Sequence, residues 1–264
     1  MNLTADKFPD LWTRVLSSVA MVALSVGIFW LGGYWVAAYL TIGVWGMYWE
    51  YQRVLRDISK RSPVDLGVMV LTALIAMGVA YIYGWVASVL VLGIGAILLF
   101  RRDVVQWLWL SGGVLYIGGA ATALLVIFQS SHGLFSVFWI LVVVALSDIG
   151  GYFAGRLFGG PKLWPAISPK KTWAGTIGGW VLAGLAGLLL GIFGPESIGK
   201  SVGISLILTL AAQSGDLLES WLKRRKNVKD ASDIIPGHGG LLDRLDGLIA
   251  AVLVFFLIQS VFYA

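Results

Sequence analysis

Four aspartates occupy positions where a carboxylate is costly. Asp148, Asp216, Asp243 and Asp246 lie within or at the ends of long apolar runs. An ionisable group inside a membrane span costs several kcal/mol unless it is paired or wet, so each is a functional candidate. Asp243 and Asp246 are three residues apart, which on a helix sets both carboxylates on one face. Carboxylate oxygens, in a chain with no Cys and 2 His, suit a hard cation such as Mg²⁺, which is commonly shared with substrate phosphates. The structural alternative is a set of salt bridges to Arg156, Arg224 or Arg244. The other acids fall in tails, loops and span ends and call for no special role.

Two basic, glycine-rich segments accompany these acids. The first runs from Gly155 through Arg156, Gly159, Gly160 and Lys162 to Ser168-Pro169-Lys170-Lys171-Thr172. The second runs from Lys223-Arg224-Arg225-Lys226 through Lys229 to Pro236-Gly237-His238-Gly239-Gly240. Glycine lets backbone N–H groups approach a phosphate, and successive N–H groups form an anion nest. The turn at Gly237, Gly239 and Gly240 leads into the start of the last helix, an end that favours anions. Metal-binding acids, phosphate-binding bases and such a turn together describe phosphoryl or nucleotidyl transfer. Charge alone would equally describe a cytosolic surface that attracts anionic lipids. The interleaved Gly, Ser, Thr and His residues favour a site, because an anchor does not need them. His238 has no activated hydroxyl beside it, so the expected role is phosphate donor rather than acid or base. His132 falls in an external turn and is expected to be inert. Zinc-ligand spacing, a Walker A loop and a Ser-His-Asp pattern are all missing from the sequence.

The elements that must hold these residues are membrane helices. Hydrophobic residues make up 58% of the 264 and charged residues 12%, whereas a soluble domain carries about a quarter charged. Runs long enough to span a bilayer cover about 15–31, 34–49, 64–81, 85–100, 104–128, 134–153, 174–193, 202–218 and 245–262. The expected fold is therefore all-α: a polytopic integral membrane protein of about nine spans. Connections as short as Gly32-Gly33 and Tyr83-Gly84 imply antiparallel hairpins, and Ser111-Gly112-Gly113 marks a kink in the fifth run. The 34 glycines suit close helix packing in lipid. The tail before residue 15 carries Asp6 and Asp10 and lacks a signal peptide's basic start, so the first span is expected to be retained.

With the N-terminus in the cytosol, 18 of the 19 Lys and Arg residues fall on the cytosolic side and only Lys200 outside, as the positive-inside rule requires. The C-terminus is then outside. On this topology the four aspartates reach one depth, just below the cytosolic surface. The chain reads as a single transmembrane domain, with 1–130 as lipid-facing scaffold and 131–264 carrying the active site.

The stretch Ser220–Asp246, S-W-L-K-R-R-K-N-V-K-D-A-S-D-I-I-P-G-H-G-G-L-L-D-R-L-D, resembles the signature of the phosphatidate cytidylyltransferases, or CDP-diacylglycerol synthases. The block D-I-G-G-Y-F-A-G-R-L-F-G-G, the S-P-K-K-T-W that follows it, and the lead-in Q-S-G-D-L-L-E-S are similar to that family's upstream regions. The likeness covers the C-terminal half; before it only hydropathy agrees. Family members often have Glu where this chain has Ala174, and Ser where it has Gly247.

The resemblance implies condensation of CTP with phosphatidic acid to CDP-diacylglycerol and pyrophosphate, with Mg²⁺ required and room for a second cation. It implies Asp216 and Asp243 as principal metal ligands, with Asp246 and Asp148 in support. Lys223, Arg224, Lys229 and Arg244 would neutralise phosphates, with His238 beside them. Ser168, Lys170, Lys171, Thr172 and Ser220 would contact substrate. The expected setting is a bacterial inner membrane with the site facing the cytosol. Membrane lipids are the expected surroundings, a homodimer is allowed, and no nucleic-acid partner is expected. The alternatives are another CTP-dependent membrane enzyme, such as a polyprenol kinase or an archaeal-lipid cytidylyltransferase, or a secondary transporter with midplane acids.

Overall fold

The computed structural model describes residues 23–55, 62–100, 103–235 and 239–262. Helical residues 23–31 (α1) lead into α2 (Gly33–Leu55), α3 (Pro63–Tyr83), α4 (Trp85–Leu98) and α5 (Val104–Gly113). A π-helical turn (Val114–Gly118) joins α5 to α6 (Gly119–Gln129), and α7 (Gly133–Leu157) follows. A hairpin of β1 (Lys162–Trp164) and β2 (Ser168–Thr172) precedes α8 (Trp173–Phe193), α9 (Ile198–Arg225) and α10 (Leu242–Phe262).

Among the described residues, six helical stretches are long and apolar enough to cross a membrane: α3, the joined α5–α6, α7, α8, α9 and α10. Trp30, Leu90, Ile97, Phe193 and Val261 point outward from the bundle, a surface that lipid covers at no cost and water does not. The chain is an all-α polytopic membrane protein, as its composition requires.

The glycine hairpins form as expected. Gly32 and Gly33 take φ of 67° and 52°, a left-handed conformation open chiefly to glycine. They fold α1 back on α2, where the Ser25 and Tyr39 hydroxyls meet at 2.7 Å. Gly84, at φ 84°, turns α3 into α4, and Gly95 lies so close to Thr72 that a Cβ there would sit 2.2 Å from its methyl carbon. The expected break after Gly113 is a π turn rather than a kink with no partner. A Cβ on Gly113 would collide with the Tyr51 ring, and one on Gly118 with the Tyr48 hydroxyl, both of α2. The two hydroxyls reach into the helix instead, Tyr51 donating to Trp109 O at 2.7 Å and Tyr48 to Val114 O at 3.1 Å. Side chains that insert into a helix ladder are a common cause of such turns.

In the second half small residues bring backbones together. A Cβ on Gly150 of α7 would lie 2.4 Å from Gly178 O of α8, and one on Gly187 of α8 would lie 2.8 Å from Ser201 O of α9. Close approach of this kind replaces the hydrophobic drive that lipid removes. Indole donors fix the seam: Trp139 to Ser205 Oγ at 2.9 Å and Trp180 to Gln213 Oε1 at 3.0 Å. These contacts set α7, α8, α9 and α10 side by side, with the end of α7, the start of α8, the end of α9 and the start of α10 at one end of the bundle.

Candidate active site

α9 continues about two turns beyond its apolar run, because the apolar run marks the lipid slab and not the end of the helix. The extra turns carry Glu219, Ser220, Lys223 and Arg224. Lys223 lies 3.3 Å from Glu219, one turn behind it, and 2.5 Å from Asp243 in the first turn of α10. The Lys223 and Asp243 side chains are only 12% and 7% exposed, so the pair ties α9 to α10 out of bulk water.

Asp243 has further work. Its carboxylate accepts the N–H of Ala231 at 2.9 Å and of Gly240 at 2.8 Å, drawing the two ends of the 231–240 connection onto the helix start. Glu50 of α2, with no exposed surface, closes the same turn from the other side. It accepts the Ser232 hydroxyl at 2.5 Å and the N–H groups of Leu241 and Leu242 at 2.9 and 2.6 Å. Gly239, at φ 84°, makes the reversal, and its carbonyl accepts from Ile235 N.

In the structure Asp243, expected as a principal metal ligand, accepts from Lys223 and from the backbone of Ala231 and Gly240, and so also ties down the loop. The N–H groups at the start of α10, expected to face phosphate, are given to Asp243 and Glu50. Gly240 is small because Glu50 stands there: a Cβ would come within 2.8 Å of both its oxygens. Gly237 and His238 lie outside the described residues.

The other three aspartates share one neighbourhood. The charges bearing on Asp148 are those of Asp216, Lys171 and Arg244. Those bearing on Asp246 are Asp216, Glu219 and Lys223. Lys171, from the end of β2, meets Asp216 at 2.6 Å, and the Ser220 hydroxyl lies 3.4 Å from the other Asp216 oxygen. Asp216 of α9 thus bears on both Asp148 of α7 and Asp246 of α10. Lys171 pairs with Asp216 and Lys223 with Asp243, while the Arg244 charge also bears on Asp148.

Among the described residues no three or more His, Cys, Asp or Glu side chains are grouped so as to hold a metal ion. Mg²⁺ does not need such a cage, since it is usually held by one or two carboxylates plus substrate phosphates. The donors fit that pattern. Asp246 faces Asp216 and Glu219, and carboxyl groups set against each other require a proton or a cation between them.

The rest of the expected contact residues fall around this centre. The hairpin replaces what the sequence suggested was a loop, pairing Lys162 with Thr172 and Trp164 with Ser168. Lys170 is exposed and Ser168 half-buried. Thr172 is buried and caps α8, accepting from Gly175 N at 3.1 Å, so its hydroxyl serves the fold. Arg224, Lys229 and Arg244 are exposed. Gly247 lets α10 meet α9, where a Cβ would lie 3.0 Å from Ala212 O.

Sequence reasoning passed over Glu219 and Glu50. Glu219 stands one residue beyond an apolar run and one turn before Lys223. Glu50 follows Tyr48-Trp49 and precedes Tyr51, an acid among aromatic residues. That setting was the available signal for it.

Comparisons with known proteins identify a family for the chain. A family model described as the cytidylyltransferase family matches residues 12–262. A phosphatidate cytidylyltransferase of Brucella suis is 34% identical over 263 residues, covering 96% of this chain and 94% of that protein. Proteins of the same name from Haemophilus influenzae and Staphylococcus saprophyticus are 42% and 44% identical over 127 and 121 residues, 46% and 45% of this chain, and cover 44% and 46% of their own lengths.

Proposed function

The chain belongs to the cytidylyltransferase family, and from that premise we propose that it transfers cytidylyl from CTP to phosphatidate in phospholipid synthesis. One oxygen of the phosphatidate phosphomonoester attacks the α-phosphorus of CTP. The α–β phosphoanhydride bond breaks and pyrophosphate leaves, with CDP-diacylglycerol remaining in the membrane. The nucleophile is already anionic, so no side chain has to remove a proton.

The observation that carries this reading is the pairing of Lys171 with Asp216 and of Lys223 with Asp243, at the end of the bundle where the charge of Asp216 also bears on Asp148 and Asp246. Lys171 and Lys223 lower the repulsion between an incoming triphosphate and the acids. Lys170, Arg224, Lys229 and Arg244 are exposed and would hold phosphates by charge. Ser168 and Ser220 offer hydroxyls beside them. Asp216 and Asp243, supported by Asp246 and Asp148, are the residues that would hold Mg²⁺, with a second cation sharing the same acids. When bound, the metal shields the phosphate charge and stabilises the departing pyrophosphate.

In this proposal nine spans run N-in and C-out, the site faces the cytosol, and the host is a bacterial inner membrane. The lipid chains stay in the bilayer while the headgroup enters between helices. A homodimer is compatible with this arrangement. Acids gathered at one end of the helices favour the transferase over a transporter, whose acids belong at the midplane.

The test is purified protein with phosphatidate, Mg²⁺ and CTP labelled at either the α- or the γ-phosphate. Label from the α-position in the lipid is the expected result. Label from the γ-position would make the chain a lipid kinase instead.

A further inference from the structure

We infer that Glu50, far from the signature segment in sequence, is a positioning residue for the transfer reaction: its carboxylate is a built-in anion that fixes the start of α10. The start of a helix presents N–H groups without partners inside the helix, and it attracts anions. Here the anion is Glu50. Its Oε1 accepts Ser232 Oγ and Leu241 N, and its Oε2 accepts Leu242 N. Three donors converge on two oxygens, so only a group that accepts at both ends satisfies them.

Burial decides between a fixed anion and a placeholder for phosphate. Glu50 has 0% exposure, and Ser232 and Leu242 are 3% and 4% exposed. Buried with two of its three donor residues, Glu50 acts as a fixed anion that substrate does not displace. The carboxylate holds Ser232 and Leu242 from below while Asp243 holds Ala231 and Gly240 from above. Asp243 in turn fixes Lys223, and Asp246 lies one turn further along the same helix. Movement of the turn would therefore move a phosphate-binding lysine and a metal-binding acid together. α2, from the scaffold half, thus determines the alignment of the reacting half.

The substitutions Glu50→Gln and Glu50→Asp separate this role from bulk stability. Gln replaces one acceptor with an N–H₂ donor that faces an N–H donor, and Asp is too short to reach both sides. The inference rests on the transferase reading, so two readouts are used on the full chain in lipid nanodiscs.

The first readout is kcat per folded, monodisperse molecule. We expect a fall of about tenfold or more for Glu50→Gln, with the KM for phosphatidate changed by less than about threefold. The second is amide hydrogen exchange: faster exchange confined to 231–242, with α5–α6 unchanged. Ser232→Ala removes one donor of the three and should move both readouts the same way by a smaller amount, which keeps the test open if Glu50 variants fold poorly.

Normal kcat and normal exchange in Glu50→Gln and Ser232→Ala, beside an active wild type, would overturn the inference. Tighter CTP binding in Glu50→Gln would do so as well, by making Glu50 a competitor of phosphate. An inactive wild type whose variants still loosen 231–242 would sink the transferase reading and leave the clamp standing.

Discussion

The Lys171 ammonium lies 2.6 Å from the Asp216 carboxylate, and this pair joins the β-hairpin to the acids of α9. Both side chains are partly exposed, at 26% and 37%, so solvent screens the attraction and the pair contributes little to stability. Its position is what matters. A partly exposed base beside an acid can bind phosphate without the cost of leaving a buried charge unpaired.

Lys171→Gln should therefore act on binding. We expect the KM for CTP to rise about tenfold, a loss of a charge-assisted contact, with the thermal midpoint within a few degrees of wild type. Initial rates over a CTP series provide the check. An unchanged KM for CTP would reduce Lys171 to a surface counter-ion.

Asp216→Asn and Asp243→Asn should both lower turnover. Asp216 is proposed to hold Mg²⁺, so its variant should need far more Mg²⁺ for half-maximal rate. Asp243, proposed to hold it too, also accepts from Lys223, Ala231 and Gly240. Its variant should raise the Mg²⁺ requirement and, unlike Asp216→Asn, also lose stability, since breaking a buried pair costs about 3–5 kcal/mol. A Mg²⁺ titration and a thermal melt on each variant separate the two. An unaltered Mg²⁺ requirement in Asp216→Asn would remove it from the metal site.

The aspartates of α7, α9 and α10 were legible in the sequence because burial of charge in lipid is a local rule: a carboxylate in an apolar run needs a reason wherever the run folds. Their common depth followed from counting spans. The loop contacts of Asp243 were not legible. Its partners are backbone N–H groups of Ala231 and Gly240, which carry no sequence signature and converge only when the loop closes. Glu50 was hidden for another reason, since it meets Ser232 across 182 positions, and no periodicity links residues that far apart. The hairpin escaped notice because β1 has 3 residues, too few to display alternation, and because prolines at 161, 165 and 169 read as loop.

Gly178→Val tests the helix seam that carries the acids. A Cβ at 178 would lie 2.3 Å from the Ala154 Cβ and 2.8 Å from Gly150 O, so α7 and α8 would have to separate. Overpacking of this kind costs about 1–3 kcal/mol or more. Because the seam also positions Asp148, activity should fall with stability, whereas Gly199→Ala, with open space around it, should change neither. Loss of detergent-resistant folding in Gly178→Val but not in Gly199→Ala is the expected result.

Lys200 provides the test of orientation. It stands in the first turn of α9, at the end of the bundle opposite Asp216, and lies 3.8 Å from Glu196 with its side chain 65% exposed. An exposed pair of this kind contributes about 0–1 kcal/mol, so Lys200→Ala should leave kcat/KM within about twofold of wild type. The chain has no cysteine, so Lys200→Cys introduces a unique thiol. In intact cells a membrane-impermeant maleimide should label it from outside, while Lys226→Cys, just beyond α9 at the other end, should react only after the membrane is opened. Labelling in the reverse order would turn the bundle over and move the acids to the wrong face for cytosolic CTP. Because one helix separates the two positions, the pair of results fixes the direction of α9 independently of how many spans precede it.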